Sequence, residues 1–188
     1  MAAENPKNDL RRMMWEAHDA RACFRVWRTL DLSKDNRERV NAINDFAYVD
    51  FFHVVIWGTQ ALAILSLGKI FDRSKGALKL QDIVRSLDDN ELSKDVNGLY
   101  SKHGRAIEKI KRIRDKSVAH NDKNMDERDV FVSVGITPNE MERLIEDVCR
   151  ILNVAAGRKS ISNPIPDDLR FKNAVHRLLD KLGNDYAN

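Results

Sequence analysis

One stretch of this 188-residue chain holds side chains that could act on a phosphodiester. It reads Arg112-Ile113-Arg114-Asp115-Lys116-Ser117-Val118-Ala119-His120-Asn121-Asp122. An imidazole moves a proton near neutral pH. A guanidinium stabilises the charge that builds on a phosphate during its transfer. RNA brings its own nucleophile, the 2′-hydroxyl, so in principle such chemistry needs no metal. An arginine and a histidine six positions apart also arise by chance in many helices, so what surrounds them matters.

The surroundings are basic. From Lys102 to Lys116 there are seven cationic residues (Lys102, Arg105, Lys109, Lys111, Arg112, Arg114, Lys116) against Glu108 and Asp115. The whole chain carries 32 Lys and Arg against 29 Asp and Glu, a net +3, so the remainder is slightly acidic. A positive strip on a near-neutral body is the footprint of a polyanion partner, although a solvated helix face gives the same pattern. Lys109, Lys111, Arg112, Lys116 and Asn121 are the candidate RNA contacts.

Other chemistries find little support. There is no GxxxxGK[ST], GxGxxG or HExxH pattern. The acid pairs Asp88-Asp89 and Asp167-Asp168 fit loop or helix-start positions, which favour carboxylates. His18, His53, His103 and His176 form no pair at helical spacing; His53 reads as a core or interface residue and His103 as core. Cys23 and Cys149 stand in apolar helical patterns without a CxxC, so a disulfide or zinc site is not expected. Buried, reduced thiols suit a cytoplasmic protein. The opening MAAENPKNDLRR has no apolar core of a secretory signal. No metal or other cofactor is expected.

The elements that must position the strip read as helices. Eight Gly and four Pro are few for this length. Asn5-Pro6 starts a helix whose stripe (Leu10, Met13, Met14, Ala17, Ala20, Phe24, Trp27) runs to about Leu30, with Trp15 off the stripe. A second helix of nearly 40 residues is expected from Ser33 to about Asp72, with a bend or a close helix contact at Gly58. Within it, Phe51 to Gly68 carries no charged side chain over 18 residues. That touches the length of a membrane span, but a central bundle helix, buried on most faces or at a subunit interface, is expected instead. A short helix follows at Leu80–Leu87. The basic helix runs from about Leu92 toward Ala119, and Val130–Ile136 has an extended pattern. Thr137-Pro138-Asn139-Glu140 is a capping box, opening a helix that ends near Gly157. A last helix reaches Leu182. The sum is an all-α antiparallel bundle of about five to six helices in one domain over 1–188.

The string Arg114–His120, RDKSVAH, resembles the signature of the HEPN superfamily (higher eukaryotes and prokaryotes nucleotide-binding domains). That signature is an arginine, a polar residue, a short spacer and a histidine at the end of a late helix in an all-α bundle. The long aromatic-rich helix ending in KIFDRS resembles the abortive-infection U-type (AbiU-like) branch. The resemblance covers about residues 35–155, with flanking helices in 1–32 and 164–188. It implies a metal-independent endoribonuclease that cleaves RNA by 2′-hydroxyl attack, acting in phage defence or as a toxin. It further implies a homodimer that pools the Arg and His of both chains in a composite site, and an antitoxin or regulatory protein as a further partner. By the same resemblance His120 is the acid or base, Arg114 the phosphate clamp, and Asp115 the residue that orients one of them. On one ideal helix Arg114 and His120 would stand ~120° apart around the axis and ~9 Å along it, which agrees with pooling two chains. The chain departs from HEPN toxins controlled by a nucleotidyltransferase, which often carry a tyrosine where this chain has Asp122. Two other readings stay open: a non-catalytic HEPN domain that binds RNA or nucleotide, and a helical protein-interaction module in which Arg114 is a structural ion pair.

Overall fold

The computed structural model describes residues 6–32, 36–118, 134–162, 164–166 and 170–184. Among these residues the fold is all-α, with no strand. The helices are α1 (Pro6–Leu32), α2 (Arg37–Asn44), α3 (Val49–Ile70), α4 (Leu80–Arg85), α5 (Asn90–Ile113), α6 (Pro138–Arg158) and α7 (Arg170–Asn184). A π-helical turn, Arg114–Val118, continues α5. The chain forms two compact units, one of residues 1–21 and 64–166, the other of 22–63 and 167–188.

The first unit is built around α5 and α6. Asp89 caps α5, its carboxylate accepting from the Leu92 N–H at 3.0 Å. Leu92, Val96, Leu99, His103, Ala106, Ile107, Ile110 and Ile113 then fall on one buried face, as the 3.6-residue period requires. Opposite it, α6 buries Met141, Leu144, Ile145, Val148, Ile151 and Leu152. The expected capping box is present: the Thr137 hydroxyl accepts from the Glu140 N–H (3.2 Å), and Glu140 accepts from the Thr137 N–H (2.8 Å). Truncating a fully buried residue such as Ile107 to alanine would cost about 2–5 kcal/mol. Cys149 is buried and Cys23 partly buried, neither in a disulfide.

The second unit has its own core. Leu30, Phe52 and Leu179 are buried, with Val26, Ile43, Val55, Val175 and Leu182 packed against them. Arg39 grips Asp180 with two nitrogens, at 2.8 and 3.2 Å, and so ties α2 to α7.

The structure departs from the sequence reading at several helix boundaries. The expected long second helix is two helices. The chain breaks at Asp45–Tyr48, where the Asp45 carboxylate accepts from the Ala47 N–H at 2.7 Å, so aspartate makes the turn and Gly58 sits inside unbroken helix. The α2 cap is Asn36, which accepts from the Arg39 N–H; Ser33 lies outside the described residues. Lastly, α5 does not run on as an α-helix but opens into the π turn at Arg114. Val130–Ser133 also lie outside the described residues, and Val134 has helical backbone.

The uncharged helix is less enclosed than expected. Among the described residues α3 alone has the length and composition to cross a membrane, and 33% of its apolar window is buried. Ala63, Ile64, Leu67 and Ile70 are fully enclosed, while Phe51, Val54 and Leu62 are exposed. His53, read as a core or interface residue, is exposed. Apolar composition all round a helix does not by itself supply a neighbour for every face.

Candidate functional site

Arg114 stands where α5 gives way to the π turn. Its backbone N–H still reaches the carbonyls of Ile110 and Lys111. Its side chain crosses to the C-terminal end of α3. There the Asp72 N–H turns to the Lys69 carbonyl (3.3 Å), and Arg114 Nη1 donates to the Gly68 carbonyl at 3.1 Å. Terminal carbonyls of a helix lack intrahelical donors, and a cation there meets the negative end of the helix dipole.

Two carboxylates complete the seat. Asp72 Oδ2 lies 3.4 Å from Nη1. Asp115 Oδ1 takes both Nε, at 2.8 Å, and Nη2, at 2.7 Å. The guanidinium has five N–H donors. One edge is thus fixed to α3 and Asp72, and the Nε–Nη2 fork is covered by a single oxygen of an exposed side chain. The arginine side chain is 20% exposed and that of Asp115 56%.

Asp72 is itself held. Its Oδ1 accepts from the Ser74 N–H at 2.8 Å. That bond, the Ser74 hydroxyl and the charges of Arg114 and Lys111 outweigh burial and hold its carboxyl below the ordinary 3.8. Gly68 leaves the room: a Cβ there would lie 2.6 Å from Arg114 Cδ and 3.3 Å from Cγ, inside van der Waals contact.

The other candidate residues part company. Lys109 turns to α6, donating to Glu140 at 3.0 and 3.2 Å and to the Gly135 carbonyl at 2.9 Å. Lys111 pairs with Glu108 at 3.3 Å. Arg112 is exposed and Lys116 partly so. His120 and Asn121 lie outside the described residues, and so does the Arg–His geometry expected of one ideal helix, which the π turn replaces for Arg114–Val118. Such turns recur at functional sites.

At the other end of the strip His103 is buried, as its place on the apolar stripe predicts. Its Nε2 meets Asp147 Oδ2 at 2.8 Å, and Lys102 donates to the same oxygen at 2.7 Å. Burial pushes the Asp147 carboxyl up, but Lys102 and His103 together bring it below the ordinary 3.8.

Sequence reasoning missed Gly68 and Asp72. Asp72 belongs to the KIFDRS string, but nothing in one sequence pairs it with a residue 42 positions on. Among the described residues no group of three or more His, Cys, Asp or Glu could hold a metal ion. A cavity of about 440 Å³ is lined by Arg11, Trp15 and His18 of α1 with Ile161, Pro164 and Ile165; Arg114 does not line it.

The model of the AbiU2 family of HEPN domains matches residues 8–163. That span is wider than 35–155 and takes in α1. No curated protein and no solved structure matches the chain.

Proposed function

Because the chain belongs to the AbiU2 family of HEPN domains, matched over residues 8–163, we propose that it is a metal-independent endoribonuclease acting in phage defence or as a toxin. The carrying observation is the placement of Arg114. The arginine of the RDKSVAH motif ends a basic helix with its Nε–Nη2 fork turned to an exposed carboxylate rather than into the core. A fork of that kind matches two phosphate oxygens.

In the proposed reaction the RNA 2′-oxygen forms a bond to the adjacent phosphorus and gives its proton to a base. The bond from phosphorus to the 5′-oxygen breaks, and that oxygen leaves with a proton from an acid. The products are a 2′,3′-cyclic phosphate and a 5′-hydroxyl. His120 supplies the acid or base. Arg114 stabilises the charge on the phosphate. Before RNA arrives Asp115 keeps Arg114 aimed, its carboxylate bonded to the guanidinium. Arg112 and Lys116 steer the RNA backbone, and a homodimer pools two such motifs. The exposed Phe51, Val54 and Leu62 of α3 offer apolar area for association.

A second reading has one observation in its favour. The contacts of Arg114 to Gly68 and Asp72 are also those of a structural arginine closing a helix end, as in a domain that binds RNA without cutting it. Cleavage of single-stranded and structured RNA in EDTA separates the two. The nuclease reading expects cutting with cyclic phosphate ends, abolished by His120→Ala and by Arg114→Ala. A folded protein that binds RNA and leaves it intact would decide for the second.

A further inference from the structure

The two carboxylates on Arg114 differ in every respect that matters for a phosphate. Asp72 sits at the end of α3, its other oxygen tied to the Ser74 backbone, and approaches Nη1 beside the Gly68 carbonyl. Asp115 is exposed and takes the Nε–Nη2 fork with one oxygen. A phosphate that binds an arginine side-on needs that fork. It cannot share it with a carboxylate, since both bring negative charge to the same two N–H groups. The edge held by Asp72 can stay in place while the fork changes partner.

Resting on the reading of Arg114 as the phosphate contact, we propose that these carboxylates have opposite tasks. Asp72, with the Gly68 carbonyl, is a positioning residue that fixes the guanidinium on the end of α3. Asp115 is an exchangeable cover on the fork, displaced when an RNA phosphate arrives. Gly68 is part of the seat, because any side chain there occupies the volume of Arg114 Cδ and Cγ. The free protein then holds its arginine aimed but neutralised, and RNA gains the contact only against competition from Asp115.

The two tasks predict affinity changes of opposite sign. The probe is a short single-stranded RNA with 2′-O-methyl groups throughout, which cannot undergo 2′-hydroxyl attack, titrated by fluorescence anisotropy. Arg114→Ala should weaken binding and lower the salt slope by about one. Asp115→Asn should tighten binding by about three- to fivefold, the scale of one exposed ion pair. Asp72→Asn should weaken it toward the Arg114→Ala value. Gly68→Ala should do the same, and should change nothing further when added to Arg114→Ala. Thermal melts check that each variant is folded, and if Gly68→Ala is not, Asp72→Asn carries that arm alone.

The deciding cycle places Asp115→Asn in the Arg114→Ala background. A gain that disappears there supports the exchange. A gain that persists is general relief of repulsion and overturns it, as does a loss or no change in Asp115→Asn alone. If Arg114→Ala itself binds as wild type, the reading of Arg114 as an RNA contact falls with it. That outcome is distinct from failure of the exchange in a protein whose binding does depend on Arg114.

Discussion

Two ion clusters along α5 are built from the same kinds of group in different ways. Near the middle of the helix, Asp147 gathers Lys102 and His103, and the His103 ring is buried between α5 and α6. Just past the C-terminal end, Arg114 gathers Asp72 and Asp115, and the cation is in the centre. In the first cluster three basic groups, Lys102, His103 and the more distant Arg150 at 3.9 Å, serve one acid. In the second two acids serve one base at a helix end. The first has every reason to be structural, since His103 loses its partner if Asp147 goes. The second keeps a strong cation near the surface, with one of its acids exposed.

The sharpest way to break this comparison is activity. Arg114→Ala should lower RNA cleavage by about 100-fold or more, the scale of losing one stabilising group on a transferring phosphoryl, while Asp147→Ala should leave the rate of the folded protein near wild type. Equal losses from the two would erase the functional difference between the clusters. Stability should show the reverse order. Asp147→Ala strands the buried His103 and should cost about 2 kcal/mol in urea unfolding, whereas Arg114→Ala, which removes the bond to the Gly68 carbonyl and the partly exposed pairs with Asp72 and Asp115, should cost about 1 kcal/mol.

Acid unfolding sharpens the same contrast. The carboxyls of Asp147, Asp72 and Glu140 titrate below their ordinary values in the folded protein. Their contribution is therefore complete above the unfolded values and is lost as pH falls through the folded ones. Stability should decline below about pH 4, and Asp147→Asn should flatten that decline. A decline unchanged in the variant would mean that this cluster does not set it. The smallest effect belongs to Lys102. Its side chain is 62% exposed, so Lys102→Ala should move stability by about 0.5 kcal/mol.

Much of the fold was legible in the sequence because its signals are local. The α5 and α6 stripes and the Thr137–Glu140 box each rest on residues within one or two turns. The break at Asp45 was missed because apolar periodicity continues across it, and a glycine looked the better hinge than an aspartate. Exposure on α3 was misjudged for a different reason. Burial depends on what packs against a face, and an uncharged helix does not announce that. At the candidate site, Arg114 and Asp115 stand adjacent and could be read together. Lys109 looked like an RNA contact because the strip is basic, yet its ammonium is engaged by Glu140, across the helix pair. Gly68 and Asp72 meet Arg114 only where the end of α3 lies against the π turn, a relation that no spacing rule contains.

The missing side chain at position 68 has a genetic consequence. Any missense change of a glycine codon adds at least a Cβ, and at this position a Cβ runs into the arginine. Cells that carry a costly RNA-cutting protein select alleles that silence it. On the proposed function, such escape alleles should collect at Gly68 as well as at Arg114, and many of them should still yield folded, abundant protein.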